Sequence, residues 1–135
     1  MTPGEVPCVG AIARDDAGRL LLIRRANPPA QGLWSLAGGR VEAGESWEEA
    51  VVREFREETG LEAVVERHVG DVRRDAPDGR VYVIRDFLVA VLGWAEPQAG
   101  DDALDVAWFT EAELSSLDTS PGLVEALTEW GILSG

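Results

Sequence analysis

The stretch that decides the fold is residues 39–61, GRVEAGESWEEAVVREFREETGL. Ser46 is followed three residues later by Glu49, which is the pattern of a capping box at the start of a helix. Gly60 is suited to the left-handed conformation that closes a helix. The sequence therefore predicts a helix from Trp47 to about Thr59, preceded by a glycine turn at residues 37–39.

Three carboxylates of this helix lie close together. At about 100° per residue, Glu54, Glu57 and Glu58 share one narrow arc. Trp47 and Val51 lie on the same arc, which a helix normally turns towards the core. Carboxylates at a core margin repel one another and lose hydration, so they require a counter-ion. Carboxylate oxygens suit hard divalent cations, which favours Mg²⁺ or Mn²⁺.

The alternative is a solvated acidic helix with no ligand, which Mg²⁺ would not stabilise. Against it, Glu48, Glu49 and Arg56 already supply a solvent face on the opposite side. Glu54 and Glu58 are also a like-charge pair four residues apart, which destabilises a helix that has no counter-ion. The metal site is the interpretation favoured by the residues alone.

The spacing of the segment reproduces the Nudix box, so the chain resembles the Nudix hydrolase superfamily, which includes MutT-like and ADP-ribose pyrophosphatase enzymes. Two positions depart from the usual pattern, since Phe55 replaces a branched aliphatic residue and Ala37 replaces a proline. Neither change removes a carboxylate. The nine specified positions, of which Phe55 alone departs in residue type, are Gly39, Glu45, Arg53, Glu54, Phe55, Glu57, Glu58, Gly60 and Leu61.

The resemblance implies a divalent metal, Mg²⁺ or Mn²⁺, held by the box. Glu54 and Glu58 are the implied principal ligands, with Glu57 as a third ligand and the carbonyl of Gly38 as a further one. Two adjacent glycines fit this role, because a backbone oxygen can approach a metal where no side chain intervenes.

Other residues are expected to support catalysis. Arg53 should hold a carboxylate by a forked hydrogen bond. Glu45 either points at the metal site or compensates the helix dipole. The general base is one of the box glutamates or an acid of a later loop. In MutT-like relatives a glutamate often stands six residues before the tryptophan of the last strand, so the resemblance makes Asp102, six residues before Trp108, the candidate for that later acid.

The resemblance implies that Arg25, at the end of the second strand, contacts substrate phosphate, as an arginine does in MutT-like relatives. Trp34 either lines a nucleoside pocket or packs against the fold. The implied reaction is hydrolysis of a nucleoside diphosphate linked to another moiety. ADP-ribose is favoured because Pro77 lies sixteen residues beyond Leu61, as in short ADP-ribose pyrophosphatases. The alternatives are a MutT-like activity on an oxidised nucleoside triphosphate such as 8-oxo-dGTP, and a non-catalytic nucleotide-binding module.

Length and composition bound the function. The 135 residues predict a single domain over residues 1–135. The net charge of −13 argues against a nucleic-acid polymer or an anionic membrane as partner. We expect no secretory signal in the N-terminal MTPGEVPC, and the single Cys8 fits a reducing cytoplasm. Some short relatives are dimers, which makes a homodimer an open expectation.

The remaining elements predict an α/β fold in which a mixed sheet lies between helices. The resemblance implies an α/β/α sandwich.

The aspartates of residues 15–18, closed by Gly18, predict a hairpin between the first two strands. Residues 80–93 are almost continuously apolar, so we expect a central strand there. A capping box joins Thr110 to Glu113, and Pro121 is expected in the first turn of a last helix ending near Gly131. The predicted strands are 6–14, 19–25, 33–36, 63–74, 80–93 and 106–109.

Overall fold

The computed structural model describes residues 4–93 and 95–134. The first three residues, where no signal sequence is expected, lie outside this range. No described helix is long and apolar enough to cross a membrane. The helices are α1 (Trp47–Thr59), α2 (Glu111–Leu114) and α3 (Leu123–Glu129). The strands are β1 (Glu5–Ala13), β2 (Leu20–Arg25), β3 (Trp34–Ser35), β4 (Ala37–Arg40), β5 (Glu62–Asp75), β6 (Val81–Leu92) and β7 (Ala103–Phe109).

The strands form two sheets. One has four strands in the order β4-β1-β6-β5 and is mixed, because β1 and β6 run parallel while the other pairs are antiparallel. The other is antiparallel, in the order β3-β2-β7. The predicted central position of residues 80–93 is confirmed, since β6 has a neighbour on each edge, although its burial is confined to the middle of the strand.

Apolar side chains pack on both faces of this arrangement. Because side chains alternate along a strand, Val9 of β1 packs on the side of α1, whereas Ile12 packs on the side of α2 and α3. Val51 and Phe55 bury the inner face of α1, and Leu127 does the same for α3. Helices therefore cover both sides of the strands, and the predicted α/β/α sandwich is confirmed.

Helix α1 begins and ends as predicted. The Ser46 hydroxyl accepts a hydrogen bond from the Glu49 backbone N–H at 3.0 Å, and the Glu49 carboxylate accepts one from the Ser46 N–H at 2.8 Å. Gly60 has φ 74° and its N–H donates to the Arg56 carbonyl. These caps fix the register of the helix and therefore the direction in which its carboxylates project.

The predicted hairpin between the first two strands is wrong. The turn at residues 15–18 forms, but β1 and β2 belong to different sheets and meet at the single bridge Arg14–Leu20. The reason is that both edges of β1 are taken by β4 and β6, and both edges of β2 are taken by β3 and β7.

The predicted glycine turn at residues 37–39 is a strand instead. Gly38 lies opposite Gly10 of β1, and Gly39 lies opposite Val9. The glycines are required by close approach rather than by a turn. A Cβ on Gly38 would overlap the Val9 carbonyl oxygen, and one on Gly39 would lie 2.5 Å from Cδ of Glu54.

Two boundaries near the C-terminus also differ from expectation. Gly122, with φ 84°, is the N-cap of α3, so Pro121 precedes the helix and does not occupy its first turn. Strand β7 begins at Ala103, three residues before the predicted start, because a bulge between Arg24 and Arg25 of β2 extends the pairing to Ala103.

Candidate active site

Arg53 is the centre of a carboxylate network on α1. Its Nε donates to Oε2 of Glu45 at 2.7 Å and its Nη2 donates to Oε1 of the same group at 3.0 Å, which is a forked pair. Its Nη1 donates to Glu54 at 2.9 Å and to Glu57 at 3.1 Å. Its Nη2 also reaches the Arg40 carbonyl at 3.0 Å. One guanidinium therefore ties the loop before α1, strand β4 and two box glutamates together.

Glu45 faces Arg53 and does not cap the helix, which is the task of Ser46. The hydrogen bonds from Arg53 lower the pKa of Glu45 to about 2, helped by a backbone hydrogen bond in the loop. This carboxylate is therefore ionised at neutral pH and is engaged in holding the guanidinium.

Glu58 is buried against β4 with one oxygen unpaired. Glu58 is only 6% exposed. Oε1 accepts a hydrogen bond from the Gly38 N–H at 3.3 Å, whereas Oε2 has no hydrogen-bond partner among the described residues. Burial, followed by the negative charge of Glu54, raises the pKa of Glu58 to about 8. A buried oxygen without a hydrogen-bond partner lowers the stability of the fold by about 1–3 kcal/mol. A cation bound to this oxygen would remove that cost.

Glu54 lies in a cradle that only glycine can provide. Its carboxylate rests against Gly39, where the Cβ of any other residue would meet both carboxylate oxygens at 2.6 Å. Burial raises the pKa of Glu54, and the hydrogen bond from Arg53 acts in the opposite direction. The two glycines of β4 thus admit two partly desolvated carboxylates next to each other.

This donor set fits a hard divalent cation. Glu54 and Glu58 supply desolvated carboxylate oxygens of the type that Mg²⁺ and Mn²⁺ prefer. Within residues 4–93 and 95–134, however, no three acidic, thiol or imidazole side chains are already gathered as a cage. The reason lies in Arg53, which draws an oxygen of Glu54 and one of the exposed Glu57 towards itself.

The loop after β6 is fastened to the end of α1. The Gly100 N–H donates to the Glu58 carbonyl at 3.2 Å, and a Cβ on Gly100 would overlap the Glu57 carbonyl oxygen. This contact brings Asp102 to the site, where its negative charge adds to the raised pKa values of Glu54 and Glu58. Asp102 itself is exposed.

A cavity of about 330 Å³ adjoins the two glycines on the α3 side of the sheet. Arg25 lines it, with Nε donating to the Pro29 carbonyl at 2.6 Å, and its positive charge also lowers the pKa of Glu58. Arg40 and Arg74 line it as well. In a chain of net charge −13, three arginines around one cavity make a local site for an anionic ligand.

The expected role of Trp34 in a nucleoside pocket is not matched by its position. Trp34 is not among the residues that line the cavity. Its ring packs edge-on against Phe109, with centroids 4.9 Å apart, beside the core of α2 and α3. The pairing of β3 with β2 places this half-buried side chain against the core on the side of α2 and α3.

The cavity also contains Asp86, which the sequence analysis did not select. Asp86 is 5% exposed, and its Oδ1 has no hydrogen-bond partner among the described residues. Burial raises its pKa to about 7, and the nearby charge of Arg74 acts in the opposite direction. A signal was present in the sequence, because Asp86 is an acid in the middle of a strand otherwise expected to be buried on both faces.

Comparisons with known proteins agree with this geometry. The sequence model described as NUDIX domain matches residues 4–130. The ADP-ribose pyrophosphatase of Methanocaldococcus jannaschii is 43% identical over 80% of this chain, and the alignment spans 63% of that protein's length. The putative 8-oxo-dGTP diphosphatase 2 of Mycobacterium tuberculosis is 39% identical over 87% of this chain and 81% of its own.

Solved structures share the fold. The MutT protein of Methanosarcina mazei Go1 superposes with a TM-score of 0.82 at 24% identity, covering 94% of this chain and 93% of that one. At that identity the likeness shows the fold alone. The E. coli ORF135 protein superposes with a TM-score of 0.73 at 32% identity, covering 93% and 89% of the two chains.

Proposed function

Because this chain belongs to the Nudix family, we propose that it hydrolyses a phosphoanhydride bond in a nucleoside diphosphate linked to a second group, with ADP-ribose as the favoured substrate. The observation that carries the proposal is the buried, unpaired oxygen of Glu58 beside Glu54, where the two carboxylates contact Gly38 and Gly39, which also line a cavity with three arginines. Such an oxygen is suited to a cation, and the arginines are suited to phosphates.

The metal of this site would be Mg²⁺ or Mn²⁺, held by Glu54, Glu58 and the carbonyl of Gly38, with Glu57 as a third carboxylate ligand. When bound, such an ion neutralises charge on the phosphate oxygens and lowers the pKa of a water molecule. The unpaired oxygen of Glu58 and the Gly39 cradle around Glu54 support this ligand set.

The chain itself orients the carboxylates and accepts a proton. Arg53 holds Glu54 and Glu57 in place from its anchor on Glu45. Glu45 is a poor base because its pKa is lowered to about 2 by that anchor. This leaves Glu57 and Asp102 as exposed carboxylates beside the site that can take the proton of the attacking water. The water oxygen bonds to one phosphorus while the bridging oxygen leaves with the other phosphate, so ADP-ribose gives AMP and ribose 5-phosphate.

Support for ADP-ribose comes from the name of the archaeal relative and from the cavity. That relative is 43% identical to this chain. Arg25 lines the cavity and is near enough to Glu58 for its charge to act on that carboxyl group, which suits a diphosphate contact. Pro77 adds nothing to this choice, because it is exposed in the β5–β6 loop and is not among the cavity-lining residues.

A second candidate is an 8-oxo-dGTP diphosphatase, which would release a nucleoside monophosphate and pyrophosphate. It is favoured by the mycobacterial relative, whose alignment spans a larger share of both proteins than that of the archaeal one. A module that binds nucleotides without hydrolysing them is the candidate of another class, and the presence of Glu54, Glu57 and Glu58 argues against it.

The test is product release from ADP-ribose, NADH, diadenosine polyphosphates and 8-oxo-dGTP, with Mg²⁺, with Mn²⁺ and with EDTA. The proposal predicts metal-dependent turnover concentrated on ADP-ribose, with AMP and ribose 5-phosphate as products. Turnover concentrated on 8-oxo-dGTP would replace it with the second candidate. No turnover, while Mg²⁺ still raises the melting temperature, would support the binding module.

Other expectations stay predictions. These are a single domain over residues 1–135, a cytoplasmic location, the absence of nucleic-acid and membrane partners, and a possible homodimer. Cys8 is buried and burial raises the pKa of its thiol to about 11, which suits an unreactive core thiol. Sedimentation of the purified protein would decide between monomer and dimer.

A further inference from the structure

The cavity holds a buried acid that the proposed hydrolysis does not use. Asp86, in the middle of β6, lines the cavity, and its carboxyl group accepts no hydrogen bond from any described residue. Oδ1 is sealed against Gly10, so the oxygen that a ligand in the cavity can reach is Oδ2. A buried carboxyl group without a donor is costly, so a fold retains one where a ligand supplies the donor or where function requires it.

The register places Asp86 at a useful distance from the carboxylates of α1. Asp86 lies opposite Gly10 of β1, and Gly10 lies opposite Gly38 of β4. Two strand spacings separate the backbones of Asp86 and Gly38, which is roughly 10 Å. A nucleoside phosphate can bridge that span, with its phosphates near Gly38 and its base near Asp86.

Gly10 provides the room that this acid occupies. A Cβ on Gly10 would overlap Oδ1 of Asp86 and approach Cγ at 3.2 Å. The intervening strand therefore carries no side chain at the one point where the carboxyl group crosses it. The absence of a side chain at Gly10 therefore determines where the Asp86 carboxyl group lies in the wall of the cavity.

The charged groups facing Asp86 do not satisfy it. Arg74 of β5 carries the opposite charge, but its Nη2 donates to the Pro121 carbonyl at the start of the α3 segment. Asp71 of β5 is a like charge, and it is paired with Arg85 and His68. The other walls near Asp86 are apolar and suit the faces of a flat ring; they include Leu36, Val72, Ile84, Leu123 and Leu127.

We propose that Asp86 recognises the base of the substrate, by accepting a hydrogen bond from the exocyclic amino group of a purine held between the apolar walls. The inference rests on the proposed function, under which the group is the 6-amino group of the adenine of ADP-ribose. A buried acceptor discriminates strongly, because a base that lacks the donor leaves the carboxyl group unpaired. Hypoxanthine, which carries an oxygen in place of the amino group, is the matched poor ligand.

The experiment compares AMP with IMP by calorimetric binding, and ADP-ribose with its hypoxanthine analogue by kcat/KM. We expect the wild-type protein to favour the adenine compound by at least 10-fold in both assays. Asp86→Asn, whose amide can donate to the oxygen of hypoxanthine, should bring both ratios close to one. Asp86→Ala, which removes the acceptor without adding bulk, should do the same and serves if the first variant does not fold.

The control is Asp75→Asn, an exposed acid on the neighbouring strand β5 that is not among the cavity-lining residues. It should keep the wild-type ratio. Equal binding of AMP and IMP by the wild type, no binding of either, or an unchanged ratio in the Asp86 variants would overturn the inference. A purely structural role would lower the affinity for both bases equally. Failure of the proposed function has a different signature, since ADP-ribose would then not be hydrolysed whatever the AMP-to-IMP ratio.

Discussion

Replacing Glu58 with glutamine should stabilise the metal-free protein while it removes activity. Burial raises the pKa of this carboxyl group from 4.5 to about 8. Between these values the native state holds the proton more tightly than the unfolded chain does. The free energy of unfolding therefore falls as the pH rises from about 4.5 to about 8. Glutamine has nearly the same shape as glutamate and carries no charge, so it removes this loss of stability at high pH.

The size of the effect follows from the shift. A pKa raised from 4.5 to about 8 corresponds to about 5 kcal/mol above pH 8. The glutamine amide is left partly unpaired, which costs about 1–3 kcal/mol. We expect a net gain of about 2–4 kcal/mol in EDTA at pH 8.5, or roughly 7–14 °C in melting temperature for a chain of this length. At pH 5 the gain should be lost, because the native glutamic acid is then protonated while the cost of the amide remains.

Thermal unfolding of wild type and Glu58→Gln at pH 5 and pH 8.5, in EDTA, measures this directly. Asp86, with its pKa raised to about 7, adds a pH dependence of the same sign to both proteins, so the difference between them isolates Glu58. Glu57→Gln is the matched control, since Glu57 is exposed and should give no gain. A variant less stable than wild type at pH 8.5, or a gain independent of pH, would refute the reasoning. Turnover with Mg²⁺ should fall by at least about 100-fold.

Three other changes give separate predictions. Gly39→Ala should push the Glu54 carboxylate out of its cradle, lowering turnover and costing about 1–3 kcal/mol in denaturant unfolding. Arg53→Lys keeps the charge but loses the fork to Glu45, so turnover should fall roughly 10–100-fold while circular dichroism is unchanged. Ser46→Ala should lower the free energy of unfolding by about 1 kcal/mol, measured in urea, because the hydroxyl that caps α1 is then lost. Normal turnover in the first two variants, or an unchanged free energy of unfolding in the third, would count against the account.

Local signals were enough to predict α1 and the direction in which its carboxylates project. The capping box, the closing Gly60 and the spacing of Glu54, Glu57 and Glu58 all act within one segment, so the sequence contains the information needed to place them. The forked contact of Arg53 was predicted in kind, but its partner Glu45 became clear only when the loop was seen to fold back onto the helix.

Contacts between distant segments were the part that the sequence did not reveal. Because β1 pairs with β4 and β6, it lies in a different sheet from β2, and the expected hairpin between them does not form. The same pairing makes residues 37–40 a strand where a glycine turn was expected. Trp34 packs against the core because β3 pairs with β2, and the position of the Asp86 carboxyl group depends on Gly10, seventy-six residues earlier in the chain. Partner choice among strands depends on the whole chain rather than on local propensity.

The central claim is that the glutamates of α1 form a binding site for a divalent metal. The most direct measurement is a titration with Mn²⁺ at neutral pH, in which electron paramagnetic resonance detects the free ion. It compares the wild type with the Glu54→Gln, Glu58→Gln double variant. The account predicts saturable binding in the wild type and an affinity at least about 100-fold weaker in the folded double variant. Equal affinity in the two proteins would contradict it.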